Sequence, residues 1–140
     1  GELNAGRIEF ADMQISASCT RVSVTDGHLM HVSIETAEDI SREEIIHCWD
    51  DYQGDTLGLN LPTQPDRVLE YIDLPDRPQP ALDRDRGNGM TVTMGRLRPC
   101  PILGWKFVAL GHNTIRGAAG CALLVAELLV AKGYLPGDNL

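Results

Sequence analysis

The dipeptide Asp26-Gly27 stands between two runs, residues 15–24 and 29–34, in which apolar and polar residues alternate close to the turn. Alternation at period two puts apolar side chains on one face of a strand, and Asp-Gly suits the positive φ angles of a two-residue reversal. The pattern predicts a β-hairpin. A hairpin demands antiparallel pairing, so every other element must be compatible with a sheet of that kind.

The segment "EDISREEIIHCWDDY" follows. Ser41 is placed to cap a helix, Glu43 and Glu44 sit at its positive end, and Ile45, Ile46 and Trp49 share one face. Residues 54–88 carry Pro62, Pro65, Pro75, Pro78 and Pro80 among many aspartates and arginines. This content reads as a solvated connector that holds at most brief strands, such as residues 67–72; a long ordered loop would need a job. "MTVTMGRLR" and "GWKFVALGH" read as two further strands separated by Pro99 and Pro101. The clearest helix lies between His112 and Gly133, with Asn113 or Thr114 as its cap, Ala118, Ala119, Ala122, Leu123, Ala126 and Leu128 along it, and Lys132-Gly133 as its end. Strands and helices alternate irregularly. The expected fold class is therefore α+β: a mixed, largely antiparallel sheet with helices packed on one face.

At 140 residues, 43% of them apolar, the chain has the size of one domain, with a single core burying roughly two-thirds of the unfolded surface. Its net charge of −8, from 20 acidic and 12 basic residues, has the wrong sign for following a phosphate backbone, so nucleic acid is not an expected partner. No apolar run is long enough to cross a bilayer, and "GELNAGRIEF" lacks the layout of a secretion signal, which predicts a soluble protein with no membrane partner. Cys19, Cys48, Cys100 and Cys121 are scattered, which suggests free thiols and a cytoplasmic setting.

In a two-residue hairpin Thr25 and His28 are partners, and stepping back by twos from Thr25 reaches Arg21. Arg21 and His28 should then project from the same face, their backbones about 13 Å apart. Guanidinium grips a carboxylate through paired hydrogen bonds, and imidazole exchanges protons near neutral pH. The pair could orient a small acid and serve a reacting group on it. A histidine beside a turn is more often structural, however, and an arginine on a strand often covers an edge. His28 and His31 fall on opposite faces, and His47-Cys48 lacks companion ligands, so no metal site is expected. Cys19 shares the face of Arg21 but lies farther from His28, and Cys121 sits in a helix that looks buried. Neither has the adjacent base that thiolate chemistry requires.

The stretches "SASCTRVSVTDGH", "LPDRPQPALDRDRGNGMTVTMGRLR" and "KFVALGHNTIRGAAGCALLVAELLVAKGYL" together resemble the C-terminal half of aspartate-β-semialdehyde dehydrogenase, in the branch found in archaea and fungi. The resemblance implies a substrate-binding and dimerisation domain over residues 1–140, similar to the C-terminal domain of glyceraldehyde-3-phosphate dehydrogenase, and a separate N-terminal domain that binds NADP. It implies reductive dephosphorylation of β-aspartyl phosphate to aspartate semialdehyde with NADPH, in the route to lysine, threonine and methionine, by a homo-oligomer, dimer or tetramer. Arg21 matches the arginine that binds the substrate α-carboxylate, His28 the acid/base histidine, and Asn113 an asparagine near the nicotinamide. No cysteine here has the setting of the family's nucleophile. No strand leads into a glycine-rich phosphate loop. The Glu/Lys helix that contacts substrate phosphate in relatives is not present either. These departures imply that the chain begins within a longer protein and is inactive by itself. A malonyl-CoA reductase and a non-catalytic homodimerisation module are the alternatives.

Overall fold

The computed structural model describes residues 1–136 of the chain. Its centre is a four-stranded sheet in the order β3 (His28–Ile34), β6 (Trp105–Gly111), β5 (Val92–Pro99), β4 (Leu69–Ile72). The β3/β6 and β6/β5 pairs are antiparallel and β4/β5 is parallel. The expected mixed, mainly antiparallel α+β class is what the chain adopts. Val108, Ala109 and Leu110 of β6 and Met94 and Leu97 of β5 are buried at its middle, joined by Ile45, Leu61, Val68 and Met90. A bulge interrupts β5 between Gly95 and Arg98, where Arg96 takes a φ of 56°.

Helix α1 (Arg42–Asp51) forms where the sequence places it. Ser41 accepts the Glu44 N–H while Glu44 accepts the Ser41 N–H, a reciprocal cap that satisfies two otherwise orphaned donors. Those bonds from Ser41 hold the Glu44 carboxyl below its usual range. Trp49 packs edge-on against Phe107, 5.0 Å between ring centres, and lies 5.9 Å from Tyr71. The registers put Phe107 and Tyr71 on the same sheet face, so α1 covers that face.

The hairpin expected at Asp26-Gly27 does not form. A two-residue reversal of the favoured kind needs positive φ at both residues, and only Gly27, at 115°, has it. Residues 15–24 form no strand; their Ile15, Val22 and Val24 are exposed, and β3 pairs with β6 instead. The genuine two-residue reversal joins β1 (Glu2–Asn4) to β2 (Arg7–Glu9), where Ala5 and Gly6 have φ of 49° and 77°.

The proline-rich segment is more than a solvated connector. It contains β4 and the short helix α2 (Pro80–Asp83), and it buries Thr56, Leu61, Val68 and Asp83. Asp83, 1% exposed, accepts Arg77 Nε and the Gln79 N–H, both at 2.7 Å, and Arg86 Nε at 3.0 Å; Arg77 Nη2 closes a second bond to it. Arg86 continues to Glu70 at 2.8 Å. The charges that read as solvated thus compensate one another inside the fold, the condition under which buried charge is tolerated. The segment closes over the other sheet face, where a Cβ on Gly95 would lie 2.5 Å from the Arg77 carbonyl oxygen.

Beyond β6 comes a wide first turn, Ile115–Ala119, and then α3 (Gly120–Ala131). The Gly133 N–H bonds the Val130 carbonyl and the Tyr134 N–H the Leu129 carbonyl, so α3 ends at Lys132-Gly133 as the sequence predicts. Cys121, expected to be buried there, is half-buried. The expectation of a core burying two-thirds of the chain is not met. A compact monomer of 15.3 kDa exposes roughly 7,100 Å², whereas this chain exposes 10223 Å². Large apolar residues at the surface, including Val22, Leu123 and Val125, account for part of the excess. No helix among the described residues is long and apolar enough to cross a membrane.

Candidate functional site

The carboxyl-terminal end of β6 and the amino-terminal end of β3 meet at one corner of the sheet, where His28 pairs with Gly111. Just before His28, Gly27 runs so close to Leu110 and Pro80 that a Cβ would approach both at 3.2 Å, and its φ of 115° is one L side chains rarely adopt. Just after Gly111, the chain turns and presents Asn113, whose Oδ1 accepts the Gly27 N–H at 2.8 Å. An amide N–H can only donate, so the oxygen of Asn113 is committed to Gly27 and its NH₂ group is left to donate elsewhere.

A cleft of about 430 Å³ opens at this corner, lined by Arg21, His28 and Asn113 together with Cys19, Thr25 and Asp26. The structure therefore brings all three sequence-predicted residues together, although not by the hairpin geometry that suggested two of them. Residues 19–25 reach the cleft as irregular coil, with bends at Ser23 and Thr25. Arg21 and His28 are both exposed, and among the described residues neither has an ion pair or side-chain hydrogen bond. His31, by contrast, pairs with Val108 and faces away from His28, as expected.

Size and chemistry agree on a small polar ligand. The volume lies in the ordinary range for small-molecule sites. An uncommitted guanidinium can take a carboxylate through two parallel bonds, an accessible imidazole can give or accept a proton, and the Asn113 amide can donate to a carbonyl or carboxamide oxygen. That last capacity fits a nicotinamide carboxamide.

Three features were missed at the level of sequence. Cys19, placed farther from His28 than Arg21 by strand arithmetic, in fact lines the same cleft. Neither Asn113 nor Thr114 caps the last helix with its side chain; buried His112 does so instead, its Nδ1 lying 3.3 Å from the Thr114 N–H donor and 3.4 Å from that of Ile115. The third is Pro80, which supports Gly27 from inside the connector. The signal for His112 was present in "GHNTIRG", where a histidine precedes a helix start, but it read as the end of a strand.

The other thiols lie elsewhere. Backbone N–H groups of Leu103 and Ile102 draw the Cys100 thiol below its usual range against the opposing effect of burial. It belongs, however, to the turn at the opposite end of β6, roughly 20 Å of strand from Gly111. Cys48 is exposed on α1.

Residues 1–116 match the family described as semialdehyde dehydrogenase, dimerisation domain. The aspartate-semialdehyde dehydrogenase of Archaeoglobus fulgidus is 48% identical over 132 residues, covering 94% of this chain and 37% of that protein. That of Aspergillus fumigatus is 42% identical over 143 residues, covering 96% of this chain and 39% of its own length. The chain thus spans little more than a third of these relatives. Among solved structures, aspartate semialdehyde dehydrogenase from Candida albicans with NADP superposes with a TM-score of 0.71 at 40% identity, over 80% of this chain and 32% of that one.

Proposed function

Since this chain belongs to the semialdehyde dehydrogenase dimerisation-domain family, we propose that it is the substrate-holding and subunit-contacting part of an aspartate-semialdehyde dehydrogenase. The observation that carries the proposal is the convergence of Arg21, His28 and Asn113 on one cleft. In the whole enzyme the reaction is reductive dephosphorylation of β-aspartyl phosphate. Arg21 holds the α-carboxylate of the substrate by a two-point grip and so fixes which end of the molecule faces His28. His28 takes the proton from the attacking thiol, which belongs to polypeptide outside this chain, and returns a proton when the aldehyde forms. NADPH, bound mainly by the remainder of the enzyme, supplies the hydride. The NH₂ of Asn113, whose oxygen is taken by the Gly27 N–H, orients the nicotinamide carboxamide beside His28 by this reading.

The large apolar surface supports the second half of the proposal. It suits a domain that is covered both by a second copy of itself and by the rest of its own polypeptide, the assembled enzyme being a cytoplasmic homo-oligomer of the lysine, threonine and methionine route. The isolated 140 residues are inactive by this reading.

The test is an assay of the full-length protein with aspartate semialdehyde, phosphate and NADP, set against malonyl-CoA with NADPH. Turnover of the first set supports the assignment, turnover of malonyl-CoA alone redirects it to a related reductase, and turnover of neither by a folded oligomer leaves the chain as an interaction module.

A further inference from the structure

We propose that His112 is a positioning residue that sets the cleft by holding Asn113 against Gly27, an inference that rests on the cleft being the substrate site. His112 is 5% exposed and does not line the cleft, so it acts through its neighbours. Its Nδ1 faces three groups: the Thr114 N–H at 3.3 Å, the Ile115 N–H at 3.4 Å and the Thr114 hydroxyl at 3.2 Å. Amide N–H groups only donate, so Nδ1 is the acceptor and the ring proton sits on Nε2, which points toward Asp85 Oδ1 at 3.6 Å.

The ring therefore takes the role that a serine or aspartate side chain usually plays at a helix start. Its own carbonyl accepts the Gly117 N–H at 2.9 Å, which winds the first turn wide. Residue 113 lies between these two restraints. Its side chain projects from the turn, and Oδ1 closes on Gly27 at 2.8 Å, one residue from His28. Because His28 is paired with Gly111, the five residues Gly27, His28, Gly111, His112 and Asn113 form a closed circuit with one ionisable group in the cleft and one behind it. Removal of the Nδ1 acceptor frees the turn, and the shift reaches His28 through Gly27.

The experiment uses the full-length enzyme and two amides of different reach. In His112→Asn the amide oxygen occupies the place of Nδ1, whereas in His112→Gln it occupies that of Nε2. The Gln variant should lose about 10- to 100-fold in kcat per titrated active site, with KM for aspartate semialdehyde little changed, the scale expected of a small misplacement of a reacting group. The Asn variant should stay within about threefold of the parent on the same basis. Combining His112→Gln with Asn113→Ala should cost no more than Asn113→Ala alone, because both act through one contact.

Equal kcat in the Asn and Gln variants, or losses that multiply in the double variant, would overturn the proposal and leave His112 as a core residue. His28→Ala is measured beside them. Undiminished kcat there overturns the cleft assignment and this inference with it, whereas a large loss there beside an unchanged His112→Gln overturns this inference alone.

Discussion

The exposed wall of the cleft and the segment that backs its corner are built in opposite ways. Residues 15–24, which bring Cys19 and Arg21, have among the described residues a single hydrogen bond of their own, from the Val24 N–H to the Val22 carbonyl at 3.0 Å, and their apolar side chains are exposed. Residues 77–91, which put Pro80 behind Gly27, converge on a carboxylate that takes bonds from two arginines and a backbone N–H, and Thr91 ties them to the Arg67 carbonyl at 2.7 Å. The first wall presents chemistry and contributes little structure. The second contributes structure and does not line the cleft. A loosely held arginine can close on an anion only if the corner opposite it stays fixed.

The contrast predicts that substitutions on the cleft change turnover without changing stability, and that substitutions in the connector do the reverse. The largest effect on the first side is His28→Ala in the full-length enzyme, with kcat lower by about 10²- to 10⁴-fold and an unfolding midpoint close to that of the parent. Loss of stability comparable with the loss of rate would erase the distinction.

On the other side, Asp83→Ala leaves half-buried Arg77 without its carboxylate and Arg86 with Glu70 alone, and should cost about 2–3 kcal/mol, read as a lower denaturant midpoint. Burial opposes ionisation of Asp83, but bonds from Arg77, the Gln79 N–H and Arg86 outweigh it and bring its pKa down to about 2. A carboxyl whose pKa is lower folded than unfolded stabilises above its unfolded value and loses that contribution as pH falls. About 2 kcal/mol should therefore disappear between pH 4 and pH 2, and the Asp83→Ala variant should lack that step. An acid profile identical to the parent's would show that the network is not what holds this segment.

Arg21→Lys sharpens the comparison from the cleft side. The positive charge stays and the two-point grip goes, so KM for aspartate semialdehyde should rise about tenfold with kcat nearly unchanged. A fall in kcat at constant KM would assign Arg21 to the chemical step.

The same contrast explains what could be read from residues alone. Helix α1, strands β5 and β6 and the end of α3 were legible because each carries its own local signal: Ser41 with Glu44, an alternating run between prolines, Gly133 after Lys132. Residues 15–24 misled because alternation states only what a strand would bury, and no partner strand takes up those residues; with Asp26 outside the positive-φ region, the chain does not fold back as expected. Residues 54–88 misled in the other direction. Asp83, Arg77 and Arg86 look solvated when counted as composition, and their mutual compensation is a three-dimensional fact. In the cleft, Arg21, His28 and Asn113 were named through resemblance and a face argument whose premise failed, whereas His112 and Pro80 act by contact and carry no chemical label in the sequence.

The smallest expected effect tests whether the loosely held wall holds more than an anchor. Cys19 is exposed and shares the cleft with His28, so it is the one described thiol with an acid/base group in the same cavity. Were it the nucleophile, Cys19→Ser would lower turnover by several orders of magnitude, because a hydroxyl beside an unassisted imidazole is a far weaker attacking group than a thiolate. Under the proposed function that nucleophile lies in polypeptide outside this chain, and serine preserves the size and polarity of the position. The full-length Cys19→Ser enzyme should therefore keep kcat and KM within about threefold of the parent. Loss of turnover in that variant would move the attacking group into residues 15–24 and give the less structured wall the whole of the covalent chemistry.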